Sequence, residues 1–278
     1  MAPDPGIEKL LFHIRACQTA CLPGARLGFW LGERQVGYVR PEFAAKLAGF
    51  SSDITLTDRM TLAPEAAGTL NQIAAAAGCR LRGEDFDVRE TVDGPVLAVL
   101  DRGALPDFGV IGVGVHVNGL VRRPEGWHLW IGKRAADKKL DPGKLDNLVG
   151  GGVAAGHTPF ETLLKEGAEE AMLPAALAAK AELKGRFAYN MERPEGLRRD
   201  MLYVYDLVLP EDFVPYPADG EVEHFSLWPL IRVFETMRDT NEFKFNVNLV
   251  LIDLFIRFGL AHGEDAAMLR AALLGQNS

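Results

Sequence analysis

Residues 150–173 read GGGVAAGHTPFETLLKEGAEEAML, and they constrain the chain more than any other stretch. Thr158 is a good helix N-cap, Pro159 suits the first helical position, and Glu161 stands three residues after Thr158, which completes a capping box. The spacing predicts a helix to about Met172, ahead of Pro174. On that helix Glu166, Glu169 and Glu170 fall at i, i+3 and i+4, so the three carboxylates share one face. Like charges so close repel, and Gly167 among them costs about 1 kcal/mol against Ala. Three Glu alone read most simply as a solvated acidic face. Gly150, Gly151 and Gly152 favour a second reading, a glycine loop whose backbone can approach a ligand closely. Phosphate suits a loop that enters a helix N-terminus, and a hard divalent cation such as Mg2+ would neutralise the carboxylates.

The same residues resemble the Nudix box: Gly, five residues, Glu, seven residues, then Arg-Glu-aliphatic-x-Glu-Glu-x-Gly-aliphatic. Gly151 fits the first position, Glu166, Glu169 and Glu170 match the three core carboxylates, and Leu173 matches the last aliphatic residue. His157 stands where the first Glu is expected, Lys165 replaces the Arg, Gly167 an aliphatic residue and Met172 the final Gly. Lys165 keeps the charge but loses the guanidinium fork.

The resemblance implies an α/β/α sandwich with a mixed sheet and hydrolysis of a small-molecule diphosphate with Mg2+ or Mn2+. By motif position Glu169 and Glu170 would hold metal, and Glu166 would be a ligand or the general base. The Gly150 carbonyl is a further ligand candidate, and Glu221 or Glu223 would supply a carboxylate from outside the box. His157 and His224 are weaker candidates for a base. Arg134, Lys144 and Asn147 precede the glycines and are candidate substrate contacts; Lys138 and Lys139 share that loop, where attraction of phosphate competes with plain solvation.

With 278 residues, two domains are expected: a small α+β unit over residues 1–105 and the catalytic α+β unit over 106–278, divided near Asp101–Asp107. Net charge is −8, from 38 acidic and 30 basic residues, which disfavours a nucleic-acid footprint. No apolar run reaches the roughly 20 residues of a membrane span, and Asp4 and Glu8 make the N-terminus unlike a signal peptide. Cys17, Cys21 and Cys79 are too few for a disulfide framework, which points to a reducing, cytoplasmic setting.

In the first unit the periodicity predicts a helix over Gly6–Ala20 and strands at Leu27–Leu31 and Gln35–Val39. A short helix from Pro41, a strand within 54–62, a helix over Pro64–Gly78 and a hairpin around Asp93-Gly94 follow. The second unit should open with a strand through Val117, turn at Asn118-Gly119 and return over Leu120–Arg122. Further strands are expected at Trp127–Arg134, Lys184–Tyr189, Met201–Leu209 and Glu221–Leu227, with a charged loop over Asn190–Asp200. Helices are expected up to Asp239, over Phe243–Phe258 and from Glu264.

Asp146–Val149, Tyr205–Pro210, Asp219–Glu223 and Asn246 further resemble one Nudix subgroup, the thiamine pyrophosphokinase-related proteins, which implies thiamine diphosphate or a damaged analogue as substrate. One competing reading is a non-catalytic diphosphate-binding module with an altered box. Another, a Nudix-fold isomerase of isopentenyl diphosphate, needs a catalytic Cys, and residues 106–278 contain none. A homodimer is among the expectations.

Overall fold

The computed structural model describes residues 5–275. The first part of the chain gives α1 (Pro5–Ala16), β1 (Leu27–Leu31), β2 (Arg34–Val39), α2 (Pro41–Ala48), β3 (Ile54–Leu56) and β4 (Met60–Leu62). A 3-10 turn (Pro64–Thr69), α3 (Leu70–Ala76), β5 (Asp85–Val88), β6 (Ala98–Asp101) and α4 (Leu105–Phe108) follow. Next come β7 (Ile111–Arg123), β8 (Gly126–Arg134), β9 (Leu145–Asp146), β10 (Val149–Gly152), α5 (Pro159–Ala171) and α6 (Ala175–Ala178). The chain closes with β11 (Glu182–Arg193), β12 (Gly196–Val208), β13 (Val222–Pro229), α7 (Leu230–Asp239), α8 (Val247–Arg257) and α9 (Gly263–Leu273).

The central sheet runs β11-β12-β7-β8-β13, with β10 beside β7 and β9 beside β8. β12 and β7 are parallel and the other pairs antiparallel, so the sheet is mixed. Alternation sends Val115, Val117, Tyr205 and Leu207 to one face, where they pack with Leu163 of α5. Leu120, Leu202 and Val204 go to the other face, under the apolar α8. This is the α/β/α sandwich, with α5 on one side and α8 on the other. A separate core joins Phe29, Val36, Leu47, Met60, Leu70, Phe86 and Leu100 to Phe108 and Val110. α1 does not join that core; its stripe Ile7, Leu10, Leu11 and Ile14 packs with the apolar faces of α7, α8 and α9. Among the described residues no helix is long and apolar enough to cross a membrane.

Several local expectations are corrected. Asn118-Gly119 is not a turn: β7 continues straight through it, and the reversal falls between Arg123 and Gly126. Pairing with β12 runs unbroken to Leu120, and the Asn118 amide donates to Asp206 Oδ1 at 2.9 Å, so tertiary partners override a good local turn. Gly150–Gly152 is no loop but most of β10, paired with His116, Val115 and Gly114 of β7. The charged segment Asn190–Asp200 is the tip of the long β11–β12 hairpin, held in register across Arg193 and Gly196. Residues 54–62 form two short strands rather than one, and the helix within 64–78 starts as a 3-10 turn. Lys244 and Asn246 precede α8, which begins at Val247, later than expected.

Gly119 shows how closely the α5 face is packed: a Cβ there would lie 2.5 Å from Leu148 Cδ2. Gly119→Val should therefore destabilise the protein by about 2 kcal/mol or more through overpacking, read as a lower urea midpoint.

Candidate active site

α5 begins as the sequence predicts. Thr158 accepts the backbone N–H of Glu161 and Glu161 accepts that of Thr158, so the capping box is closed at both ends. The helix lies against β10, where Gly151 has no side chain and a Cβ would fall 2.4 Å from Glu166 Cγ. Only glycine lets the Glu166 stem cross the strand at that distance. One turn further, Glu170 Oε2 accepts the Gly150 N–H at 2.9 Å, and Glu170 is buried.

Burial pushes the Glu170 carboxyl up to about 8; the Gly150 N–H opposes this, while the charges of Asp146, Glu166 and Glu221 add to it. Glu166 is raised for the same first reason, burial, against the pull of the adjacent Lys165. Lys165 holds Glu166 at 3.2 Å and Glu169 at 3.1 Å, bridging two of the three carboxylates with a single ammonium. Glu169 itself is exposed. Among the described residues no three His, Cys, Asp or Glu side chains are gathered closely enough to hold a metal as they stand. The donor chemistry nevertheless fits a hard cation: Glu170 and Glu166 are carboxylates whose charged form burial disfavours, and Glu169 beside them is exposed, held by the ammonium of Lys165.

The two outside carboxylates part company. Glu221 lies close enough for its charge to reach both Glu166 and Glu170. Burial would raise it, but Lys138, which contacts it, and the charges of Arg102 and Arg134 hold it below the usual range. Glu223 sits at the register shift between Val222 and His224, exposed, with His224 at 4.0 Å. His224 is likewise exposed, and His157 faces the solvent with its Nδ1 3.2 Å from the Ala155 carbonyl.

The candidate substrate contacts are engaged within the protein. Arg134 donates to the carbonyls of Asp141 and Leu140 and to Asp146 Oδ2 at 2.8 Å. Lys144 donates to the Asn241 carbonyl. Asn147 is buried, its amide donating to Asn118 at 2.8 Å and its carbonyl 3.0 Å from His116 Nδ1. Arg134 and Asn147, unlike the more exposed Lys144, belong to a buried polar layer beneath β10 that no spacing in the sequence announced. Asp146 is held down to about 2: burial opposes ionisation, but Lys244, His116 and Arg134 outweigh it. Burial, helped by Lys244, pushes His116 down to about 4. The one available hint was a His and an Asn alternating with the valines of β7.

With this geometry in hand, comparison with known proteins defines the class. The NUDIX domain family model matches residues 113–247. Nudix hydrolase 20, chloroplastic, of Arabidopsis thaliana is 36% identical over 267 residues, spanning 88% of this chain and 71% of the relative. Nudix hydrolase 24, chloroplastic, of the same plant is 35% identical over 260 residues, with the same shares. Among solved structures, the NUDIX domain of Shewanella oneidensis NrtR is similar at 14% identity and a TM-score of 0.44, covering 54% of this chain and 90% of that one. The chain belongs to the Nudix hydrolase family and is a hydrolase of phosphoric anhydrides.

The altered end of the box is explained by the helix C-cap. Met172 adopts a left-handed conformation (φ 49°), and its N–H and that of Leu173 both close on the Gly167 carbonyl. A side chain there costs about 1 kcal/mol, so Met172→Gly should raise stability by up to that amount, measured by denaturant unfolding. Glu170 predicts a pH signature for the metal-free protein. Its carboxyl is raised in the fold to about 8, so the native state binds a proton that the unfolded chain releases above its usual range, and stability falls as pH rises through that window. Glu170→Gln should remove this fall, leaving the variant the more stable by a few kcal/mol at most above about pH 8, seen by chemical unfolding in chelator.

Proposed function

We propose that this enzyme cleaves the diphosphate bond of a small phosphorylated molecule with Mg2+ or Mn2+, and that thiamine diphosphate or a damaged analogue is the substrate. The observation that carries the reading is Glu170: a carboxylate buried beside β10, among Asp146, Glu166 and Glu221, in a helix that keeps the core of the Nudix box. A buried carboxylate among like charges is stable in its ionised form only beside a cation. Glu166, Glu169, Glu170 and the Gly150 carbonyl would hold the ion, with Glu221 rather than Glu223 as the carboxylate from outside. When bound, the ion supplies polarisation of the phosphoryl oxygens and charge neutralisation.

The chain's own groups supply the rest. Glu166, half-buried and made more basic by that burial, is suited to accept a proton from the attacking water. Gly151 gives that side chain room, and Lys165 restrains it. The thiamine reading rests on the subgroup resemblance in Tyr205–Pro210 and Asp219–Glu223. A reducing, cytoplasmic setting accords with three cysteines that are all free, and a homodimer belongs to the same reading.

A panel of diphosphate compounds assayed with Mg2+ and Mn2+ tests this. Turnover should be metal-dependent, strongest for the thiamine compounds, and reduced about 100-fold or more in kcat/KM by Glu170→Gln. Ligand binding without any turnover would instead support the non-catalytic module.

A further inference from the structure

The hairpin β5–β6 of the first unit docks directly on the box. The Ala155 N–H donates to the Asp85 carbonyl at 2.7 Å and the Gly156 N–H to Asp87 Oδ1 at 3.3 Å. The Phe86 ring abuts β10, where a Cβ on Gly152 would lie 2.5 Å from Phe86 Cζ. Arginines stand at both ends of this hairpin: Arg80 and Arg82 just before β5, and Arg102 just after β6.

Asp101 ties the two ends together. Its carboxylate is buried and accepts the backbone N–H groups of Arg82 at 2.8 Å, Gly83 at 2.7 Å and Gly103 at 2.7 Å. Gly103 abuts Arg80, whose carbonyl oxygen would be 1.8 Å from a Cβ there. The Arg102 N–H donates to the Glu84 carbonyl at 2.8 Å. Both cationic segments are thus fixed at the backbone, leaving their side chains to project.

Of the three guanidinium groups, that of Arg102 has a carboxylate partner. Glu84 is 2.7 Å from Arg102, whose guanidinium also stands 5.9 Å from the centre of the Phe86 ring. Among the described residues neither Arg80 nor Arg82 has a hydrogen-bond or ion-pair partner for its guanidinium. Partial burial and then the positive charges of Arg102, Arg198 and Arg80 hold Arg82 below the usual range, with Asp101 opposing. Arg102 also acts on Glu221, and Glu221 on Glu166 and Glu170. A rigidly mounted group of like charges beside a cleavage site is stable and useful when an anion sits among it.

We infer that Arg80, Arg82 and Arg102 form an anion-binding rim, contributed by the first unit, that receives the phosphate end of the substrate beside the carboxylates of α5. The inference rests on the diphosphate reading above and assigns the hairpin the task of substrate recognition. Arg82, with its guanidinium unpaired, is the principal contact.

The test is binding of methylenediphosphonate, a diphosphate analogue with no cleavable P–O–P bridge, to the full chain with Mg2+. Arg82→Ala should weaken binding about 10-fold, Arg82→Ala with Arg102→Ala further, and Arg82→Lys should recover part of the loss. Wild-type binding should also weaken with added salt more steeply than that of Arg82→Ala. Unchanged affinity and salt slope in the alanine variants, or no binding to the wild type, would overturn the inference. If the wild type cleaves the panel while Arg82→Ala keeps its KM, the rim fails and the hydrolase reading stands. Arginine-dependent binding without cleavage leaves the rim standing and removes the hydrolase reading.

Discussion

The hydrogen bond from the Gly150 N–H to the buried Glu170 carboxylate is the constraint on which the site depends. It fixes the helix against the strand at the point where Glu170 and Gly150 meet. A carboxyl so placed resists ionisation, and its neighbours Asp146, Glu166 and Glu221 make that resistance stronger. Burial therefore favours the protonated form of Glu170, and a positive charge brought beside it would favour the ionised one.

The glycines of β10 serve this arrangement in two directions. Gly151 opens towards α5 and lets Glu166 cross the strand, while Gly150 and Gly152 face the other way, towards His116, Asp146 and the Phe86 ring. A side chain at Gly151 or Gly152 would push apart layers that must touch, while one at Gly150 would meet its neighbours at ordinary contact distance. Beneath them the Asp146–Lys244–Arg134 cluster, all three largely buried, anchors β9, just ahead of β10, to β8 and to the segment before α8. Removing one member of such a cluster leaves uncompensated charge, so these residues act as supports for the strand that carries the site.

The first unit reaches the site through one hairpin. Asp85, Phe86 and Asp87 meet the loop between β10 and α5, and Asp101 fixes both hairpin ends. The placement of α1 shows that sequence order and spatial grouping differ here: it packs on the layer of α7, α8 and α9, although the residues after it build a separate core.

The sequence alone determined the capped helix and the shared face of Glu166, Glu169 and Glu170, because capping and the 3.6-residue period are local properties. It also determined most strand and helix positions in the first unit, where alternation and turn residues agree. Tertiary structure decided the rest. Asn118-Gly119 has the chemistry of a turn, yet it lies mid-strand because pairing with β12 and the bond to Asp206 outweigh a local preference. The glycine run became a strand because β7 offers it a ladder; Asn147 was drawn into a buried network by Asn118 on another strand, and Arg134 by the fold of the loop that brings Leu140, Asp141 and Asp146 back to it. Depth of burial, which raises Glu170 and lowers His116, belongs to no residue's neighbours in the chain and arises only when the layers close.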